Sequence, residues 1–446
     1  MGLVTGLAFS AHGLNVVGYD ISPELGKQIA RGSAPFAEEG LAKLLRQELS
    51  RGRFRVVPSL DALAAEAECL FLCVPTPSQP DGRINLGPLE QSARAVATAL
   101  RSVTSPRVVV VKSTVVPGTT EGMVAPLVRS VAGKSPEEIG IASNPEFLSE
   151  GTVVRDALRP TRVVIGASDA RSLAWLRRAY RDFGAPVHAL SPSGAELVKY
   201  LSNSFLALKV SFANEAARLA DRLGVHIDRV MEAVGSDPRI GGSFLRAGPG
   251  FGGSCFDKDV RALAVRSSDL GLGLKLPRAA LDVNDDQLEY VIDRIDTSLG
   301  GLKGARLALL GLAFKAGTED VRESRALPIA ERLLERGATV RAHDPAAAKS
   351  FARAWSERTP KGAAGLTIVP SIEHAIEGAD AAILQADWPQ YLRWPARWSR
   401  KMRRPLLIDL RRAVPVEVAR RAGLSLVGLG DGTDVKNVAD VPRAAP

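Results

Sequence analysis

Two hydrophobic rhythms divide the chain. In the first 190 residues, short β-branched runs (Asn15–Asp20, Cys69–Val74, Arg107–Lys112, Gly140–Asn144 and Arg162–Gly166) alternate with helix-length segments. That alternation predicts βαβ units and a parallel sheet. From Gly194 to about Gly224 the pattern becomes one long amphipathic helix, and more helix follows to about Leu299. Its Leu, Phe and Ala content predicts a buried helix of the kind found at subunit interfaces. A second alternating region opens at Ala305, after a GGLKG break at Gly300–Gly304. Its strand-like runs are Ala305–Gly311, Ala338–Asp344, Asp380–Gln385, Leu406–Asp409 and Leu424–Val427. The predicted fold class is α/β, with parallel-sheet domains at 1–190 and 300–440 joined by a central helical domain at 191–299. The Pro- and Ala-rich end, Val441–Pro446, is predicted to fray.

Composition narrows the field. Hydrophobic residues make up 46% of the 446 residues and charged residues 24%, which excludes wholesale disorder. No apolar run approaches the ~20 residues that span a bilayer, so no membrane helix is expected. The apolar start, Met1–Val17, has no basic n-region and runs straight into a strand, unlike a signal peptide. Three cysteines cannot make a disulfide framework in a chain this long, which favours a reducing, cytoplasmic location. The five histidines never approach metal-ligand spacing, so no metal is expected. A net charge of +9 suits polyanionic small molecules, nucleic acid or a solvated basic surface, and the last is the default.

The chemistry concentrates in a few segments. A nucleotide-binding Rossmann unit runs strand, glycine turn, helix, then a second strand ending in an acid. Here the helix, Leu3–His12, its closing Gly13 and the second strand are present, with Asp20 eighteen residues after Gly2. An acid there accepts both ribose hydroxyls and repels a 2′-phosphate, favouring NAD over NADP. Gly248–Val260, GPGFGGSCFDKDV, holds four glycines in six residues, which lets backbone approach a ligand closely. Ser254 and Asp257 have capping-box spacing, which puts Cys255 at the first helical position, where unpaired amides lower a thiol pKa. Cys255 and Asp259 share a helix face, as a nucleophile and its base might. Lys199 and Asn203 are also four apart, so an ammonium and an amide could together hold an oxyanion.

Strand-end segments KSTVVPGTT (Lys112–Thr120) and NPEFLSEG (Asn144–Gly151) sit where open α/β sheets bind ligands. In the second half, GLAFKAGTEDVRES (Gly311–Ser324) offers glycines, Lys315 and Arg322 to a diphosphate. The basic, tryptophan-containing stretch Trp388–Arg404 could stack single-stranded nucleic acid, although an edge helix and loop is the plainer expectation.

Together these segments resemble the UDP-glucose/GDP-mannose dehydrogenase family over nearly the whole chain, with the Cys255 segment most like the UDP-glucose branch. The resemblance implies an NAD domain, a helical dimer-forming centre and a C-terminal UDP-sugar domain. It also implies two successive NAD-dependent oxidations of the sugar C6 alcohol to a uronic acid, of use in polysaccharide biosynthesis. By that resemblance Cys255 captures the aldehyde as a thiohemiacetal, and a thioester is later hydrolysed. Lys199 and Asn203 stabilise oxyanions, Asp259 pairs with Lys199 or assists proton transfer, and Thr114 and Glu146 position water. Phe147, Leu148, Arg239, Phe251, Gly252, Phe314 and Lys315 match substrate contacts, with Arg239 reaching into a partner subunit. Gly2, Asp20, Thr76, Ser113, Glu150 and Arg322 match the cofactor side.

Two departures accompany the resemblance. Gly2 aligns with the third glycine of the family's opening GxGYVG, so the N-terminal domain is expected to lack its first strand. DLRR (Asp409–Arg412) stands where relatives have DGRN, which puts Arg411 at a substrate contact. Other nucleotide sugars, GDP-mannose among them, and a catalytically impaired sugar-nucleotide-binding protein are the alternatives. Nucleic acid and membrane are not expected partners.

Overall fold

The structure is a computed structural model describing residues 1–359 and 365–432. The expected frayed end, Val441–Pro446, lies outside the described residues. Two compact units emerge: Met1–Ser202 with Ala262–Gly273, and Asn203–Arg261 with the described residues from Leu274 onward. The central segment is therefore shared between them. Among the described residues, no helix is long and apolar enough to cross a membrane.

The first unit opens with helix Gly2–Ala11, whose Val4, Leu7, Ala8 and Phe9 are buried. Phe9 packs against Phe71, Tyr180 and Phe183, ring centroids 4.9–5.6 Å away. Strands β1 (Val16–Gly18) and β2 (Phe54–Val56) pair in parallel. A second sheet runs β3 (Cys69–Leu72), β4 (Arg107–Val111), β5 (Ile139–Ser143), β6 (Val163–Ala167) and β7 (Val187–Leu190). Among the described residues no ladder joins β1 to β3. Every residue of β4 is buried, as in a strand covered on both faces.

One pairing departs from the expected parallel sheet. β5 and β6 are antiparallel, with Ala142 opposite Ala167 and Ser143 opposite Gly166. Their connection carries only the six-residue helix Val153–Leu158, so no full crossover helix returns the chain for a parallel start. The long helix, Pro192–Leu223, begins hard against β6. A Cβ on Gly166 would lie 2.6 Å from the Pro192 Cα and 2.8 Å from the Ala195 Cβ, so only glycine permits that contact.

The second unit holds a six-stranded, all-parallel sheet: β8 (Arg306–Leu310), β9 (Thr339–His343), β10 (Leu366–Ile368), β11 (Ala381–Leu384), β12 (Leu406–Asp409) and β13 (Ser425–Gly428). Its order, β10-β9-β8-β11-β12-β13, is the doubly wound Rossmann arrangement. Alternate residues enter two cores, Leu307 and Leu309 on one face, Ala308 and Leu310 on the other, as a sheet covered by helices requires. Helix Lys275–Leu299 stops where Gly300 turns left-handed (φ 75°), at the anticipated GGLKG break. In the tryptophan-containing stretch, Trp394 and Trp398 are buried and packed edge to face. Those rings are not available to stack on nucleotide bases.

Candidate active site

In the first unit, the ends of β4 and β5 bring together buried charges. Lys112 directly follows β4, and its Nζ donates to Asn144 Oδ1 at 3.0 Å; the Tyr180 hydroxyl donates to the same oxygen at 2.6 Å. Glu146, two residues further, meets Lys199 Nζ at 3.1 Å with both side chains nearly inaccessible. The other Glu146 oxygen accepts the Leu148 N–H. Burial alone would raise the Glu146 pKa; Lys199, the Leu148 amide and Lys112 outweigh it and hold the carboxyl below its ordinary value. Burial brings Lys112 down to about 8, with Glu146 and Cys73 opposing the shift and Lys199 adding to it. Phe147 lies under two cations, Arg162 at 4.1 Å and Lys199 at 5.5 Å from its centroid. A cavity of about 200 Å³ opens here, lined by Lys112, Asn144, Glu146, Phe147, Leu148 and Arg162 among others.

The predicted cofactor residues of this unit divide. Asp20 is exposed beyond β1, and its Oδ1 accepts the Ser22 N–H at 2.9 Å. Gly2 begins its helix against Cys73, whose Cβ is 2.9 Å from where a Gly2 Cβ would stand. An exposed acid beyond β1, and a helix start with no room for a Cβ, fit NAD. Ser113 and Thr76 instead brace the strand ends. The Ser113 hydroxyl accepts the Val74 N–H and donates to the Val74 carbonyl, while Thr76 Oγ1 donates to the Thr114 carbonyl at 2.8 Å. Thr114 is buried next to Ser113, and Glu150 is half-buried in the loop after Leu148. Glu196, buried one turn before Lys199, accepts the Gly118 and Thr120 amides and the Thr120 hydroxyl, at 2.6–2.9 Å.

In the second unit Cys255 is exposed. The helix starts at Phe256, and the Cys255 carbonyl accepts the Asp259 N–H at 2.9 Å, so the cysteine is the residue before the first helical position. Ser254 Oγ lies 3.7 Å from Cys255 Sγ, in place of the anticipated cap on Asp257. Asp259 is buried and held by Asn203 Nδ2 at 2.6 Å and by Lys258 Nζ at 2.5 Å. Lys258, Lys112, Asn144 and Glu196 were not singled out by spacing. Lys112 and Asn144 each open a strand-end motif, the one signal that pointed their way.

The glycines before Cys255 are packed by protein. A Cβ on Gly252 would fall 2.2 Å from the Glu323 carbonyl oxygen, and one on Gly253 2.8 Å from the Phe314 ring. Phe251 is buried with Ala207, Val260 and Leu281. Arg411 donates Nε to the Gln385 carbonyl and a terminal nitrogen to the Phe314 carbonyl, which fixes the loop that carries Phe314. Lys315 Nζ sits 5.5 Å from the Phe314 centroid. Arg322 forks onto Asp320, and Arg239, largely exposed, forks onto Asp237.

Three family models cover most of the chain. Residues 1–184 match the UDP-glucose/GDP-mannose dehydrogenase family NAD binding domain, 193–286 its central domain, and 308–415 its UDP binding domain. UDP-glucose 6-dehydrogenase YwqF of Bacillus subtilis is 35% identical over 431 residues, 96% of this chain and 95% of its own. The UDP-glucose 6-dehydrogenase of Pseudomonas aeruginosa is 38% identical over 438 residues, 97% of this chain and 95% of its own. Among solved structures, a UDP-glucose dehydrogenase from Pyrobaculum islandicum superposes with a TM-score of 0.87 at 41% identity, covering 96% of this chain and 95% of its own. A UDP-D-ManNAc dehydrogenase from Pyrococcus horikoshii gives 0.83 at 28%, covering 97% of each.

Proposed function

Since the chain belongs to the UDP-glucose/GDP-mannose dehydrogenase family, and is an NAD-dependent nucleotide-sugar dehydrogenase, we propose that its substrate is UDP-glucose and its product UDP-glucuronate. The observation that carries this reading is the exposed Cys255 thiol at the end of a turn fixed by glycine packing. Oxidation of the C6 alcohol gives an aldehyde. Cys255 Sγ bonds to the aldehyde carbon, giving a thiohemiacetal. Loss of two further electrons gives a thioester, and water breaks the C–S bond to release the carboxylate and restore the thiol. Bound NAD supplies the electron acceptor for both oxidations, two molecules per sugar. Lys199 and Asn203 stabilise the oxyanions, Glu146 and Thr114 orient the attacking water, and Asp259 assists proton transfer. The ion pair of Glu146 with Lys199 supports this reading, because it keeps the carboxylate ionised as a water acceptor.

We further propose a homodimer through the long helix. Phe205, Phe212 and Leu219 recur every seven residues on it, each more than half exposed, a spacing that suits helix packing against a second copy. Arg239, largely exposed, is proposed to reach into that second copy.

The test is Cys255→Ser. UDP-glucuronate formation should vanish, and an unchanged rate would make the cysteine structural. A panel of UDP-glucose, UDP-N-acetylmannosamine and GDP-mannose fixes the sugar. A higher kcat/KM for either of the last two would displace UDP-glucose.

A further inference from the structure

We propose that Asn214, Asn284 and Gln287 are positioning residues that set the Gly248–Gly253 turn and thereby the placement and reactivity of Cys255. The turn has few side chains to define it, and glycine-rich backbone loses more freedom on ordering than any other. Gly250 and Gly253 also adopt left-handed φ values of 103° and 84°. Something outside the turn must select that conformation.

The three amides do so through the main chain. Asn214 Oδ1 accepts the Gly248 N–H at 2.8 Å, and Gln287 Nε2 donates to the Gly248 carbonyl at 2.8 Å. Asn284 grips Phe251 at both ends, accepting its N–H at 2.7 Å and donating to its carbonyl at 3.3 Å. Arg325 Nε adds a bond to the Pro249 carbonyl at 3.0 Å. All three amides are 3% exposed or less, so each would cost stability if it were not hydrogen-bonded there. Asn284 and Gln287 stand three apart on one face of helix Lys275–Leu299, and Asn214 comes from helix Pro192–Leu223. The turn is thus clamped from two helices, four residues before the thiol. The fit is close at Gly250, where a Cβ would meet Asn284 Oδ1 at 2.7 Å.

Two variants test this: Asn284→Ala, which removes both bonds to Phe251, and Gln287→Met, which at nearly constant volume removes the Gly248 bond together with the one that Gln287 Oε1 accepts from Arg218. The measurements are the iodoacetamide alkylation rate of Cys255, resolved by peptide mass spectrometry, steady-state kinetics, and a thermal melt. A displaced nucleophile should lower kcat about tenfold or more in Asn284→Ala, while the KM values for UDP-glucose and NAD stay within about threefold. Cys255 alkylation should change by about threefold or more, with Gln287→Met following in the same direction. Wild-type kcat and alkylation rate in both folded variants would overturn the proposal, as would a lower melting temperature with both rates unchanged. The kinetic arm rests on the nucleotide-sugar reading above, but the alkylation arm does not. If the wild type fails to oxidise UDP-glucose, that reading falls and the alkylation rates alone decide the positioning claim.

Discussion

Asp20 lies just beyond strand β1 of the first unit and Asp344 just beyond strand β9 of the second, and the two acids are used in opposite ways. Asp20, beyond β1, is exposed, and its carboxylate accepts the Ser22 N–H. Asp344, beyond β9, is buried and takes five donors: the amides of Leu312, Ala313, Ala346 and Ala347 and the Trp388 indole, at 2.7–3.1 Å. Leu312 and Ala313 belong to the turn after β8, where a dinucleotide fold holds its pyrophosphate. In the second unit that turn already has an anion, its own carboxylate. Gly311 beside it is filled as well, since a Cβ there would fall 2.5 Å from the Ala386 nitrogen. The second sheet therefore keeps the Rossmann strand order, while the amides of the turn after its β8 are taken by a protein carboxylate. Strand order is a scaffold, and the ligand is chosen by which donors and acceptors remain available at its edge.

The sharpest way to break that contrast is to delete both acids. Asp344→Ala strands four main-chain amides at once, three of them on buried residues. It should destabilise the protein by about 4 kcal/mol or more, or prevent folding, in urea titrations. Asp20→Ala should shift stability by no more than about 0.5 kcal/mol, yet raise the KM for NAD by about tenfold through lost ribose bonds. The contrast fails if Asp344→Ala is as stable as wild type, or if Asp20→Ala binds NAD normally.

The two acids also show what a sequence reveals. Asp20 is legible because the role proposed for it rests on local order alone: helix, glycine, strand, acid. Asp344 lies just beyond an equally legible strand, but Leu312 and Ala313 sit 32 and 31 residues earlier in the chain and Trp388 44 later, and no spacing rule points to them. The same divide runs through the site. Cys255, Lys199 and Glu146 stood out by motif and i, i+4 spacing, whereas Lys112, Lys258 and the amides at 214, 284 and 287 matter through contacts made only on folding. Strand β10 escaped notice because three residues, Leu366–Ile368, are too few to show a period. The antiparallel turn into β6 escaped because hydrophobic pattern reports burial and is blind to strand direction.

A smaller effect separates acids held by backbone from acids held by side chains. Glu146 depends on Lys199, a partner that one substitution removes. Lys199→Ala leaves a buried carboxylate with less compensation and should cost about 3–5 kcal/mol. Adding Glu146→Gln should return most of that loss, because the uncompensated charge disappears. No such rescue exists for Asp344, whose partners are main-chain amides. Strict additivity of the two changes in a double-mutant cycle would mean that the pair is not coupled, and Glu146 would join Asp344 as an acid held by backbone.

The smallest effect concerns Glu196, which the first unit holds much as the second holds Asp344, through the Gly118 and Thr120 amides and the Thr120 hydroxyl. Here burial outweighs those bonds, and with the nearby Glu121 charge it pushes the carboxyl from 4.5 up to about 7. Because the folded pKa is the higher one, the folded state binds the extra proton between these values. The contribution to stability is full below about pH 4.5 and is lost as pH rises through about 7, a change of no more than about 3 kcal/mol. Glu196→Gln cannot titrate. The stability of wild type relative to Glu196→Gln should therefore fall between pH 5 and pH 7, measured by urea unfolding at matched ionic strength. A flat difference across that range would mean the three bonds offset burial in full, and Glu196 would be as inert to pH there as an ordinary ionised carboxylate.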